Sequence, residues 1–552
     1  MNKNYEEAKK YNELGNTCKN SHDFKKALKY YLKAAKFMPL SPIILANLGV
    51  TYNHLGKIEI AQKYFQNATR ADPNYADVYY NQGKIYLEAE KYNFAIKFFE
   101  KAVKINPKFE YAKSLLSYSK MQICDWGNQP KYDYSFDTPL LNILRSDNPS
   151  INLKVAQIWS QAVEEKMANY PKFAHKKQKK EKLTIGYLSC DFYDHATSYL
   201  MADMFKYHNK KTFVIHVYSY GQNDRNNYLR KIKKDCDKLT DISKLGDFEA
   251  AQKIYSNNVD ILIDLKGYTG GARMEILALK PAPIQISYLG FPGTTGATFI
   301  NYLITDKIVS PPNHKKYYSE KLVYMPDSYQ VNDAGRKIST KKYSRRDFSL
   351  PEDAFVFCSF NQPTKIEPKV FSVWMKILRS VPKSVLWLWK DNDLMVRNLK
   401  KEALKARVDP ARLVFGGNLP NDKHLARLRL ADLALDTFVY NGHTTTSDCL
   451  WAGVPVVTLK GNHFASRVSA SLLTAMGLFE LITHSPKEYE KLAISLANNP
   501  KKLANIHESL ILNRESCALF DTQKFVKNLE KAYQFIWNNY LSGKKPRPFL
   551  ST

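Results

Sequence analysis

The 552 residues contain only seven cysteines, at 18, 124, 190, 236, 358, 449 and 517. They are scattered and odd in number, with no Cys-x-x-Cys, so neither a disulfide framework nor a structural zinc site is expected. No run reaches the ~18 consecutive apolar residues that a membrane span needs. The opening "MNKNYEEAKKYNELG" carries charges where a signal peptide needs an apolar stretch, and a cytoplasmic protein is expected. A Walker lysine loop and a clean G-x-G-x-x-G are also lacking, so nothing favours a nucleotide hydrolase or a dehydrogenase.

What is present is apolar material for large cores, 44% of the residues, in a chain long enough for about three domains. Lys and Arg number 82 against 53 Asp and Glu, a formal net charge of +29. That balance attracts polyanions, acidic protein segments or anionic surfaces, or is a solvated lysine-rich face. No RNA- or DNA-binding motif accompanies it, and no nucleic-acid partner is expected. The densest basic run, "HKKQKKEK" (175–182), precedes an apolar strand and reads as linker.

Residues 10 to 120 repeat with a period of 34. Leu14-Gly15 recurs as Leu48-Gly49 and Gln82-Gly83; Ala27, Ala61 and Ala95, then Tyr31, Phe65 and Phe99, keep the step, and Pro39, Pro73 and Pro107 close each unit. The pattern resembles the tetratricopeptide repeat, a pair of helices whose small residues allow close crossing. The expected array is 1–124, three repeats and a capping helix, with a groove suited to a protein segment. A purely structural spacer is the alternative. From 183 onward short apolar runs alternate with helix-length segments: "LTIGYLS", "FVIHVYSY", "VDILIDL", "IQISYLG" and "YLITD", then "FVFCSF", "SVLWLW", "RLVFGG", "LALDT" and "VPVVTL". Runs apolar on both faces predict parallel strands covered by helices, hence two doubly wound halves, 183–335 and 336–552, behind a linker or intervening helical region of 125–182. Ligands of such folds bind at the carboxyl ends of the strands.

Two strand-end loops stand out. "GFPGTTGA" (290–297) is rich in glycine, so backbone amides there can approach an anion. In "LDTFVYNGHTTTSDCLWAGVPVV" (435–457) a strand ends, the chain turns, and His443, Thr444, Thr445 and Thr446 open a helix. Free N–H groups and the positive helix end make an anion site, and Asp448, on the face of Thr444 and Thr445, suits a ribose diol. One threonine would suffice as an ordinary N-cap. "KDND" (390–393) contains an Asp-x-Asp of the kind that holds metal in metal-dependent glycosyltransferases, and reads as a turn because metal sites need more converging ligands.

These motifs, with "HFASRVSASLL", "FNQPTKIEP", "VWMKILRSVPKSVLWL", "FPGTTGATFINYLITD", "YYSEKLVYMPD" and "DFYDHATSYL", occur in the order found in the O-linked N-acetylglucosamine transferases, which the chain resembles over its repeats and most of 183–540. The resemblance implies an α-solenoid followed by a GT-B fold with two Rossmann-like domains. It implies inverting, metal-independent transfer of N-acetylglucosamine from UDP-GlcNAc to Ser or Thr of protein acceptors held by the repeat groove, with no cofactor. It places His195 at the active site as proposed general base and Lys365 on the diphosphate. Gln362, His424, Arg427, His443, Thr444, Thr445 and Asp448 match donor contacts, with Pro292, Gly293 and Thr294 in the loop beside the donor. Tyr255 stands where relatives have a further histidine, and Asn421 where they have a lysine. A GDP-fucose-dependent SPINDLY-type enzyme, a transferase for another UDP-hexose and a scaffold with an inactive transferase half are the alternatives; His443, Gln362 and Asp448 favour the UDP reading over the GDP-fucose one.

Overall fold

In the computed structural model, which describes residues 3–20, 23–221 and 227–550, the chain divides into two units, 1–137 and 138–552. The first is helical. Lys3–Asn20, Phe24–Phe37, Pro42–His54, Ile58–Ala71, Ala76–Glu88, Tyr92–Ile105 and Glu110–Gln122 form successive antiparallel pairs and a last single helix. Tyr31, Phe65 and Phe99 are essentially fully buried, each lying against the glycine of its repeat. A Cβ at Gly49 would sit 2.7 Å from Phe65 Cε1, and at Gly83 2.6 Å from Phe99 Cε1, so the small residue sets how closely the helices cross. Pro73 and Pro107 follow the last residues of their helices, where a missing N–H is harmless. Gly49→Ala is expected to destabilise the array by about 1–3 kcal/mol, the usual cost of overpacking, measured by urea unfolding of the repeats against the unaltered chain.

The second unit holds two parallel sheets. Strands β1 (Leu183–Ser189), β2 (Phe213–Ser219), β3 (Lys238–Asp241), β4 (Ile261–Asp264), β5 (Ile284–Ser287), β6 (Tyr302–Asp306) and β7 (Lys321–Met325) belong to the first. The second contains β8 (Phe355–Ser359), β9 (Ser384–Trp389), β10 (Leu413–Gly416), β11 (Leu433–Leu435), β12 (Val456–Leu459) and β13 (Ile482–Thr483), in the order β10-β9-β8-β11-β12-β13. Strands β4, β5 and β6 are buried along their whole length, as expected for a parallel sheet with helices on both faces.

The chain does not stay in its second half. Helix Thr522–Leu541 packs back against β7, and a last strand, β14 (Phe549–Leu550), pairs with β7 to complete the order β14-β7-β6-β5-β4-β1-β2-β3. Tyr533 of that helix bonds Tyr187 of β1 at 3.1 Å, and Glu530 accepts from His208 at 3.0 Å. The boundary 336–552 expected for the second half therefore fails at its end, because the last thirty or so residues are held by the first half. Within 125–182, Pro139–Arg145 and Pro149–Met167 are helices of the second unit. Gly296 takes φ +66° with its Cα against the backbone of the second of these, where a Cβ would lie 2.4 Å from Gln157 N.

Candidate active site

Strands β8 and β11 are neighbours, so the loops leaving their carboxyl ends meet. Lys365, in the loop after β8, donates from Nζ to the Asn441 carbonyl at 2.9 Å and lies 4.2 Å over the ring of Tyr440. Tyr440 stacks on His443 with ring centres 4.7 Å apart. Beneath this turn is buried Asp436, which accepts from Gly442 N at 2.6 Å, Thr437 N at 2.9 Å and Thr458 Oγ at 2.6 Å. Burial pushes Lys365 down to about 7, against the pull of Asp436. The site thus holds a lysine poised to gain a proton when an anion arrives.

Burial first, and then the Lys365 charge, push His443 well below its ordinary range. The neutral ring uses its Nε2–H on the Ala465 carbonyl at 3.2 Å. The imidazole is a stacked wall of the site, its N–H already engaged. Donors come instead from the mouth of helix Thr444–Ala452. Thr446 and Ser447 turn inward, onto Ser469 at 2.8 Å and Gln330 at 3.2 Å, leaving Thr444 and Thr445 half-buried at the opening. Asp448, one turn on, is buried and ion-paired with Arg336, and burial raises its carboxyl despite that partner.

His424 and Arg427 share one face of helix Asn421–Leu428, yet they are not equivalent. Arg427 is buried: Nε donates to His424 Nδ1 at 3.0 Å, Nη1 to the Gly417 carbonyl at 2.6 Å, and the guanidinium covers Phe360 at 4.6 Å. Arg427 is thus a bracket that fixes His424, and only His424 remains half-buried toward the loops. Burial and the nearby Arg427 and Arg336 charges push His424 down to about 3, so its ring is neutral with the hydrogen on Nε2. Gln362 stays exposed at the head of the Lys365 turn.

Across from these, the end of β1 supplies His195, the first-turn cap of helix Ala196–Met201. Its Nδ1 accepts from Thr197 N at 3.2 Å, and Asp191 lies 3.7 Å away. Asp191 is itself held by buried Lys266 at 2.6 Å. Burial lowers the His195 pKa, partly offset by Asp191. On the same short helix Tyr199 bonds Asp194 at 2.9 Å, packs against Tyr228, and feels the charge of Asp448, which places the two halves face to face here.

The glycine-rich loop behaves differently from its sequence expectation. It does cradle an anion, but that anion is the protein's own Glu320. Its carboxylate takes Thr294 Oγ at 2.6 Å, Thr295 N at 2.6 Å and Thr295 Oγ. Pro292, Gly293 and Thr294 are buried, and the Thr294 hydroxyl is engaged inside the fold. Tyr255 lies outside the site, its hydroxyl on the Ala174 carbonyl and its ring against Phe173. In "KDND", Asp393 is exposed and paired with Lys390 at 2.8 Å, while Asp391 accepts from Asn392. Sequence reasoning passed over Tyr440, Asp436 and Arg336. Tyr440 stands in the turn of the quoted loop and Arg336 at the boundary between the two halves, and no motif marks either.

Two parallel-sheet halves meeting at their strand ends make a GT-B fold, with a lysine and a helix mouth where they meet. Residues 150–342 and 335–529 match the family model described as glycosyl transferase family 41, and 43–75 and 76–109 match tetratricopeptide repeat models. The chain belongs to glycosyl transferase family 41.

Over 375 residues it is 42% identical to an Arabidopsis thaliana protein named probable UDP-N-acetylglucosamine–peptide N-acetylglucosaminyltransferase SEC, covering 67% of this chain and 38% of that one. A Caenorhabditis elegans UDP-N-acetylglucosamine–peptide N-acetylglucosaminyltransferase is 30% identical over 66% of this chain and 42% of its own length. A Petunia hybrida relative named SPINDLY is 33% identical over 68% of this chain and 41% of its own. The chain spans about two-fifths of these relatives. A solved O-GlcNAc transferase mutant from Thermobaculum terrenum superposes with a TM-score of 0.70 at 24% identity, covering 98% of this chain and 99% of that one, and shares the fold. Among the described residues no helix is long and apolar enough to cross a membrane.

Proposed function

We propose that the chain transfers N-acetylglucosamine from UDP-GlcNAc to serine or threonine hydroxyls of proteins, with inversion at the sugar. The observation that carries this reading is the cluster of Lys365, Tyr440 and His443 at the mouth of helix Thr444–Ala452, with buried Asp448 one turn away. The acceptor oxygen attacks the anomeric carbon, the bond from that carbon to the diphosphate breaks, and UDP leaves with the electron pair. Lys365, the helix N–H groups and the Thr444 and Thr445 hydroxyls are suited to the charge that develops on the departing diphosphate. Gln362 is assigned to the donor at the edge of the lysine loop and His424 to the nucleoside, with Arg427 holding His424. Pro292, Gly293 and Thr294 form the packed wall behind the donor.

His195 is assigned to the acceptor hydroxyl. With Nδ1 accepting from Thr197, the neutral ring carries its proton on Nε2 and offers a donor, not a base, to the cleft. To accept the proton at Nε2 it must shift its hydrogen to Nδ1 and turn that N–H toward Asp191.

The repeats are assigned to acceptor proteins, and the free cysteines and activated-sugar donor suit a cytoplasmic setting. No metal takes part in this reading, because Lys365 and the helix mouth supply the positive charge; EDTA is expected to leave the transfer rate unchanged in a donor-turnover assay. Transfer of fucose from GDP-fucose is the alternative reading. The deciding experiment is incubation with UDP-GlcNAc or GDP-fucose and candidate acceptors, read by mass spectrometry. N-acetylhexosamine on Ser or Thr supports the proposal, deoxyhexose moves it to fucose, and neither points to a scaffold.

A further inference from the structure

Arg336 lies in the segment between β7 and β8 and is 7% exposed, its side chain 2%. Trp451 Nε1 donates to its backbone carbonyl at 3.2 Å, fixing the residue beside helix Thr444–Ala452, while its Nη1 pairs with Asp448. Its Nε and Nη2 are buried and meet no hydrogen-bond partner among the described residues. A guanidinium is always charged and offers five N–H donors in a fixed fork, so two unmatched nitrogens away from water are costly. The Arg336 charge acts on His424 from one half and on Tyr228 from the other, so its free N–H groups sit at the meeting of the two. Lys365 and His463 are the charges that act on His443, at the diphosphate end.

We propose that Arg336 is a nucleoside-binding residue of the donor site. Its Nε and Nη2 donate to neutral oxygens of the nucleoside, a ribose hydroxyl or a pyrimidine carbonyl, while Asp448 accepts from the ribose hydroxyls. A phosphate is the poorer match, because the Asp448 carboxylate beside Arg336 neutralises the guanidinium and repels a second anion. A neutral oxygen satisfies the free donors without that repulsion. The proposal rests on the UDP reading above.

The test is calorimetric titration of the full chain, Arg336→Lys and Arg336→Gln with uridine, UDP and 2′-deoxy-UDP, with Lys365→Ala for comparison. Lysine keeps the charge but loses the fork. Losing hydrogen bonds from a charged donor is expected to weaken uridine and UDP alike, by about 10–100-fold. Lys365→Ala is expected to weaken UDP and spare uridine. A smaller loss on 2′-deoxy-UDP than on UDP assigns the contact to the ribose, and an equal loss assigns it to the base. Melting temperatures read a purely structural role separately: Arg336 variants that melt lower yet bind uridine and UDP normally overturn the proposal. So does a loss confined to UDP. Failure of the unaltered chain to bind UDP removes the donor reading and this inference together.

Discussion

Replacing Lys365 by alanine is expected to lower turnover about 10²–10³-fold, the usual effect of removing one preorganised electrostatic group. The lysine stands between the carbonyl of Asn441 and the face of Tyr440, and burial pushes it down to about 7. Arrival of a diphosphate reverses that balance, because an adjacent anion favours the charged amine. UDP binding near pH 8 is therefore expected to take up a proton, seen as a binding enthalpy that varies with the ionisation enthalpy of the buffer. Affinity falls as pH rises above about 7, since the neutral amine no longer attracts the diphosphate. The same shift has a stability consequence of defined sign. Between about 7 in the fold and roughly 10.4 in the unfolded chain, the unfolded state binds more protons, so this group makes the ligand-free protein more stable as pH rises across that window. A Lys365→Ala protein with near-normal turnover would contradict its role at the leaving group.

The second large effect concerns stability. Asp448 and Arg336 are both buried, with side chains 8% and 2% exposed. Removing one partner of such a pair leaves an uncompensated charge and costs about 3–5 kcal/mol. Asp448→Ala is expected to lower the unfolding free energy by that amount in denaturant titration, besides weakening the donor. Exchanging both for uncharged residues of similar volume is expected to restore much of the stability and none of the binding. If Asp448→Ala leaves stability unaltered, the pair does not fasten the inter-half segment to helix Thr444–Ala452.

Period and composition made much of this fold legible. The glycine-to-aromatic step of Gly15 with Tyr31, Gly49 with Phe65 and Gly83 with Phe99 is visible because contacting residues recur at fixed spacing. All ten quoted apolar runs contain a strand, since strands buried on both faces must be apolar throughout. The strand Lys238–Asp241 escaped notice as a polar, exposed edge, and Phe549–Leu550 because two residues returning to a distant sheet leave no pattern.

The site was legible as a set of residues and not as a set of bonds. The helix mouth at 444 is written in one local stretch, whereas the Arg336–Asp448 pair joins residues 112 apart and the Thr294–Glu320 bond residues 26 apart. No local pattern announces either. Helical spacing put His424 and Arg427 on one face, but packing over Phe360 and Trp387 turned Arg427 into support.

The donor assignment is tested most directly by the thermal shift of the purified chain with UDP, UDP-GlcNAc, GDP and GDP-fucose. A ligand at about 100 times its dissociation constant adds roughly 2.7 kcal/mol to the stability of the fold, enough to read as a higher melting temperature. The account predicts a rise with UDP and UDP-GlcNAc that Lys365→Ala reduces, and little change with the guanine nucleotides. A rise with GDP and GDP-fucose alone would contradict it.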